Sequence, residues 1–275
     1  MFQTRTAAPT TTLGAIWRTL EVIYHATVRQ VRKSHGNAVL GLFYSILQSL
    51  ILVAVFYLMF ALLGLRGNAI RGDFVLFLMS GIFIFITHNQ AVGAVMGAEG
   101  PTSPMMLHAP MTTAVSITSA ALASLYLQTL AMVVVLFVYH VGFNPISIEQ
   151  PVYAFGMVFL GWVSGVAVGL IFLSLKPWLP RFTGILSQIY RRLNMIASGK
   201  MFVANSLPHS KLVLFSWNPL FHCIDQARGF TFINYNPHYT SITYPVVFSL
   251  AFILLGLLGE FYTRRSASLS WSAGK

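Results

Sequence analysis

The sequence predicts an all-α membrane protein: six transmembrane helices, an amphipathic interface helix before them, and external re-entrant helices before the last. Three observations predict it. Charged residues make up 8% of the chain and apolar residues 56%, whereas an ordinary soluble domain carries about 25% charged residues. That is too little charge to cover a water-facing surface, so lipid must do part of the solvating. Second, Asp, Glu, Lys and Arg are absent between Lys33 and Arg66, Asp73 and Glu99, Glu99 and Glu149, Glu149 and Lys176, and Arg228 and Glu260. Third, the basic residues, 17 against 6 acidic, gather between those runs, as they do in the cytoplasmic loops of membrane proteins. A soluble enzyme, a disordered chain and a disulfide scaffold are excluded. The net charge of +11 is better explained by topology than by nucleic acid, with acidic substrates as a second reason. Cys223 is the single cysteine, so no intrachain disulfide can form.

Taken in order, the first dozen residues are Thr-rich and lack the apolar core of a signal peptide. The chain is expected to enter the membrane through its own first span. Over 13–33, Leu13, Ile16, Trp17, Leu20, Ile23, Tyr24, Thr27 and Val31 share one helical face. Arg18, Glu21, His25, Arg29 and Arg32 share the other. Such a helix is expected to lie on the membrane surface. A crossing helix needs about 20 apolar residues, and isolated strands cannot cross because lipid leaves their backbone groups unpaired. Spans are expected at 38–64, 74–97, 113–139, 152–175, 184–205 and 244–263, in one transmembrane domain over 1–275. The fifth is the least apolar, since it contains Arg191, Arg192 and Lys200. With both termini cytoplasmic, the inner side collects Arg5, Arg18, Arg29, Arg32, Lys33, Lys176, Arg181, Arg264, Arg265 and Lys275. That excess favours this orientation. Residues 206–243 are too polar for a span and too aromatic for a linker, and are expected to form external re-entrant helices shielded by protein.

Catalytic and nucleotide chemistry find little support. Gly199-Lys200 is followed by Met201, and Asn194 stands where a phosphate-binding loop needs its first glycine. The histidines form no metal-ligand spacing, so no metal is expected. The spans hold almost no carboxylates, and a proton relay would have to use His88. Polarity instead concentrates in the fifth span, where Gln188 and Arg191 share a stripe and Arg192 lies about 100° round from it. Two readings of the arginines stand: a water-filled path that admits anions, or snorkelling toward the cytoplasmic end. Gly161, Gly165 and Gly169 let a neighbouring helix approach closely, either within the protomer or from a second copy. Trp217, Phe221, Phe230, Phe232, Tyr235, Tyr239 and Tyr244 are either an aromatic belt or a wall of flat faces for a sliding sugar chain. Between spans two and three, Pro101 and Pro104 would open a short helix over 101–111 and Pro110 close it. Its Met105, Met106, Leu107 and Met111, with His108 beside them, are apolar on the water side, and are either an adaptable docking surface for another protein or a loop tucked against lipid headgroups.

These features, in this order, resemble the permease subunit of type 2 ABC exporters for capsular polysaccharide. The specific run is Ser198-Gly199, Leu207-Pro208 and Trp217-Asn218-Pro219-Leu220-Phe221-His222, followed by Asp225, Arg228 and Tyr235. The resemblance implies a homodimeric channel in the bacterial inner membrane, with no cofactor of its own and with ATP and Mg held by a separate ATP-binding subunit. Residues 101–111 would be the coupling helix seated in that subunit. Arg191, Arg192, Gln188, Arg228, Trp217, Phe221, Phe230 and Tyr235 would line the path of a lipid-linked polysaccharide. A periplasmic copolymerase and membrane lipids would be further partners. Within the class, the alternative is an O-antigen, teichoic-acid or small-molecule permease. Outside it, the alternative is a membrane enzyme or scaffold without transport.

Overall fold

A computed structural model of the chain describes residues 12–35, 37–64, 70, 72–100 and 112–266. The described residues form helices α1 (Thr12–His35), α2 (Ala38–Leu62), α3 (Phe74–Met96), α4 (Thr113–Gly142), α5 (Pro151–Leu175), α6 (Pro180–Ala197), α7 (His209–Ser216), α8 (Pro219–Thr231) and α9 (Thr243–Ser266). A short 3-10 turn at Ala204–Ser206 precedes α7. Among them α2, α3, α4, α5 and α9 are long and apolar enough to cross a membrane. The protein is a multi-pass membrane protein.

The helix starts are written in the sequence. Asn37, Asp73, Thr112 and Asn218 accept hydrogen bonds from first-turn amides of α2, α3, α4 and α8, filling donors that would otherwise be orphaned. Pro151, Pro180 and Pro219 open α5, α6 and α8, where a missing N–H costs nothing.

Close pairs fix the helix directions. Along α5, Gly161 lies on Ile84, Gly165 on His88 and Gly169 on Val95. The two helices therefore run parallel, and the glycine stripe serves packing inside one protomer. Gly256 and Gly259 of α9 lie on Leu170 and Ser174, so α9 is parallel to α5 as well. By contrast, α4 runs the other way, with Tyr139 near its end donating to Asp73 at 2.6 Å and Ser116 near its start accepting from the Glu99 amide. The bundle thus has an Asp73 end, and a Lys176 end where Lys176 donates to the Met96 carbonyl and Trp178 to Thr263.

Because α5 and α9 run in the same direction, the chain between them must return, and α6 begins that return. It occupies Pro180–Ala197, not 184–205. Gly199 ends it with φ +73°, and a Cβ there would lie 2.5 Å from the Phe221 ring, so only glycine fits. The last turn of α8 then meets the Asp73 end, where its Phe230 and Thr231 carbonyls accept from the Gln150 and Glu149 amides. Its first turn, by contrast, puts Leu220 against Gly161, ten residues or about 15 Å down α5. α8 therefore dips into the bundle, and the main core gathers α3, α4, α5 and α8 around Ile82, Ile84, Leu220 and Ile224.

Gly165→Leu tests the α3–α5 seam. A Cβ there would lie 2.5 Å from the His88 carbonyl oxygen, a backbone atom with nowhere to go. We expect a loss of at least about 1–3 kcal/mol, read as a lower melting temperature in detergent. Gly156→Ala on the same helix meets open space and should melt as the parent does.

Candidate functional site

α2, α3 and α6 enclose a cleft of about 470 Å³. Arg191, Arg192 and Met195 reach it from α6, Tyr44 and Gln48 from α2, and Phe85, Asn89 and Gln90 from α3. Gln90 Nε2 donates to Gln48 Oε1 at 2.9 Å, tying α3 to α2 with a polar bond across the cleft. Arg191 lies over Gly93, where a Cβ would come 3.4 Å from its Nη1. Its Nε and the Asn89 Oδ1 are both buried without a hydrogen-bond partner. Two cations and a set of amides thus face one space.

α6 presents these groups because its amphipathicity is inverted. It buries Thr183, Ser187 and Asn194 and exposes Ile185, Ile189, Leu193 and Ile196. In water such a helix would turn round, whereas in lipid this is the stable arrangement. Polar anchors hold it. The His88 ring is hydrogen-bonded through Nε2 to the Tyr190 hydroxyl and through Nδ1 to Ser164 and the Gly161 carbonyl. Asn218 Nδ2 donates to Asn194 Oδ1 and to the Ala197 carbonyl. His88 is therefore a tie between α3, α5 and α6.

The other expected path residues lie elsewhere. Gln188 is exposed on α6 and does not line the cleft. Arg228 is fully buried. It donates to the carbonyls of Gly199, Phe202 and Lys200 and stacks 4.0 Å from the Phe77 ring centre. It clamps the chain after α6, with three of its five N–H donors on backbone carbonyls and the whole group shut away from solvent. Tyr235 donates to Asp225, which also accepts from Thr240 and the Ala204 amide. Burial, and then the adjacent Asp225 carboxylate, push the Tyr235 phenol well above its usual range. Phe221 packs between Phe202 and Phe215, Phe230 stacks on Tyr153, and the Trp217 carbonyl accepts from Tyr244. Phe221 thus packs beside α7, Phe230 against α5 and Tyr235 against α8, while the Trp217 side chain is exposed. Pro101, Pro104, Met105, Met106, Leu107 and His108 fall outside the described residues, as does all of 101–111.

Gln48, Asn89 and Gln90 escape notice in the sequence because they are uncharged amides inside apolar runs. The available signal is that an amide in a charge-free span needs a partner. Among the described residues no three of His, Cys, Asp and Glu gather as metal ligands would.

Fold and cleft together define a multi-pass helical membrane protein with a cationic, amide-lined cleft between α2, α3 and α6. No family model matches the chain. Two relatives do, each a polysialic acid transport protein KpsM of Escherichia coli. They are 26% and 25% identical over 263 and 261 residues, covering 92% of this chain and 95% of each relative. Over nearly its whole length the chain is therefore similar to two polysialic acid transport proteins, in line with its resemblance to capsular-polysaccharide permeases.

Proposed function

We propose that the chain is the transmembrane subunit of an ATP-driven exporter that moves a lipid-linked, acidic capsular polysaccharide across the bacterial inner membrane. The observation that carries this is the cleft, in which Arg191 and Arg192, on a helix whose outer face is apolar, face the amides of Gln48, Asn89 and Gln90, with Asn89 Oδ1 unpaired. The relatives point to the same cargo chemistry, since polysialic acid is a polyanion. In this reading α6 is the fifth of six crossings and both termini are cytoplasmic. The Asp73 end is then external, with α7 and α8 re-entrant from it. A second copy of the chain completes the channel, and α1 rests its exposed Leu13, Ile16, Trp17 and Leu20 in the membrane surface. Membrane lipids contact the apolar faces, and a periplasmic copolymerase receives the polymer. ATP and Mg are held by a separate ATP-binding subunit that grips 101–111, and this chain by itself is not an enzyme.

Co-purification tests the division of labour. Tagged full chain, expressed together with the ATP-binding subunit that this reading requires, should retain that subunit through size exclusion. Met105→Glu with Met106→Glu should cut the retained amount at least about tenfold, the loss of about 1.4 kcal/mol or more of docking free energy. A membrane scaffold would retain no ATPase with either chain.

A further inference from the structure

Lys200 stands just past the end of α6 and is 1% exposed. Its Nζ reaches one acceptor, the Met195 carbonyl, at 2.5 Å. Otherwise the ammonium rests on aromatic faces, 3.7 Å from the Phe85 ring centre and 5.1 Å from that of Phe56. No ion pair to it occurs among the described residues. The guanidinium that bonds its carbonyl, Arg228, carries the same sign. A buried ammonium without a counter-ion is costly, and aromatic faces with one carbonyl offset only part of that cost. The fold nevertheless makes room for it, since a Cβ on Gly81 would lie 2.9 Å from the Lys200 Cα.

Its position relates it to the cleft. Phe85, the ring beneath the ammonium, and Met195, whose carbonyl holds it, are both walls of the space that Arg191 and Arg192 face. The ammonium therefore waits directly behind the cleft wall. A lysine stem is flexible, and its head is a compact point charge with three donors, two of which lack an acceptor here. Rotation about the stem would carry that charge past Phe85 into the cleft. A purely structural lysine, capping the Met195 carbonyl, would stay where it is whatever entered.

We propose that Lys200 is a second anion subsite of the cleft, latched behind Phe85 until a carboxylate or phosphate group arrives past Arg191 and Arg192 and draws the ammonium off the ring. This rests on the reading of the cleft as an anion path. The group it would take is a singly charged oxyanion, either the carboxylate of an acidic sugar or the phosphate of a lipid headgroup.

The test places 4-fluorophenylalanine at position 85 of the full chain in phosphatidylcholine nanodiscs and follows its fluorine resonance. Lys200→Met gives the resonance of a ring without a cation, and Lys200→Gln serves the same purpose if the first variant fails to purify. One arm adds oligogalacturonate, which brings carboxylates and no lipid. The other replaces part of the lipid by phosphatidic acid. We expect the resonance to move to the Lys200→Met position in one arm, and that arm identifies the source of the anion. No movement in either arm, or an equal movement in the Lys200→Met chain, overturns the proposal. Oligogalacturonate retained by the nanodiscs is measured in the same samples, with Arg191→Ala plus Arg192→Ala for comparison. Undiminished retention by that variant sinks the arginine reading and leaves the position-85 result standing on its own.

Discussion

Replacing Arg228 by methionine is expected to abolish recovery of folded protein, whatever the cargo. The guanidinium is fully buried and spends its donors on the backbone carbonyls of Gly199, Lys200 and Phe202. Methionine fills much of the volume and stacks on Phe77, but it leaves the Lys200 and Phe202 carbonyls without a donor, and that of Gly199 with only the Phe202 amide, where the chain leaves α6. A buried polar group stripped of its partner costs about 1–3 kcal/mol, so the loss approaches the whole stability of a marginal domain, about 5–15 kcal/mol. Arg228→Lys should not rescue it, because a single ammonium cannot span carbonyls that a planar fork reaches together. The measurement is monodisperse yield after detergent extraction, with the melting temperature of whatever survives. A path-lining arginine would give the opposite pattern, in which the variant folds normally and loses only transport. Well-folded Arg228→Met protein would therefore return this residue to the cargo path.

The same residue shows where sequence reasoning stops. The five apolar helices are legible almost to their ends, because a charge-free run of fixed length has one stable fate in lipid and because Asn37, Asp73, Thr112 and Pro151 mark the starts. The limits of α6 are less legible. Its apolar pattern continues past Ala197, and the local stop signal, Gly199 in the left-handed region at φ +73°, is outweighed by that pattern in the sequence. Charge in the sequence also says nothing about direction. Arg191 and Arg228 are equally basic, but one faces a cleft and the other faces carbonyls, and only the packing of α3 against α6 and α8 separates them. The aromatic-rich 206–243 segment is hard to read for a related reason. Phe221, Phe230 and Tyr235 are flat and clustered in sequence, but their positions at the start of α8, at its end and beyond it give them three different neighbours. Gly161, Gly165 and Gly169 mark a close helix approach in the sequence, although the partner they meet, α3, is fixed only by the fold.

Arg191→Ala combined with Arg192→Ala should leave the fold intact and remove most export of an acidic polymer. Stability should hold because Arg191 Nε has no hydrogen-bond partner to lose and Arg192 is exposed. Relieving an unpaired cation in the bundle also removes a desolvation cost. Transport should fall because hydrogen bonds from a charged donor to an anion contribute about 1.5–3 kcal/mol each, and about 1.4 kcal/mol is a factor of ten. The double variant should therefore export at least about tenfold less. The two positions should not contribute equally. Arg191 is half-buried against Gly93, where screening is weak, so its single substitution should carry most of the defect. The effect of Arg192 should shrink as ionic strength rises, since exposed charges are screened over about 8 Å in physiological salt. Arg181→Ala, on the exposed first turn of the same helix and outside the cleft, should export as the parent does and so controls for a general loss of basic charge. The assay is polymer delivered across inner-membrane vesicles, with complex assembly checked in each sample. Parental export by the assembled double variant would mean that the two arginines merely reach for the membrane surface, and that the anion is stabilised by something other than this cleft.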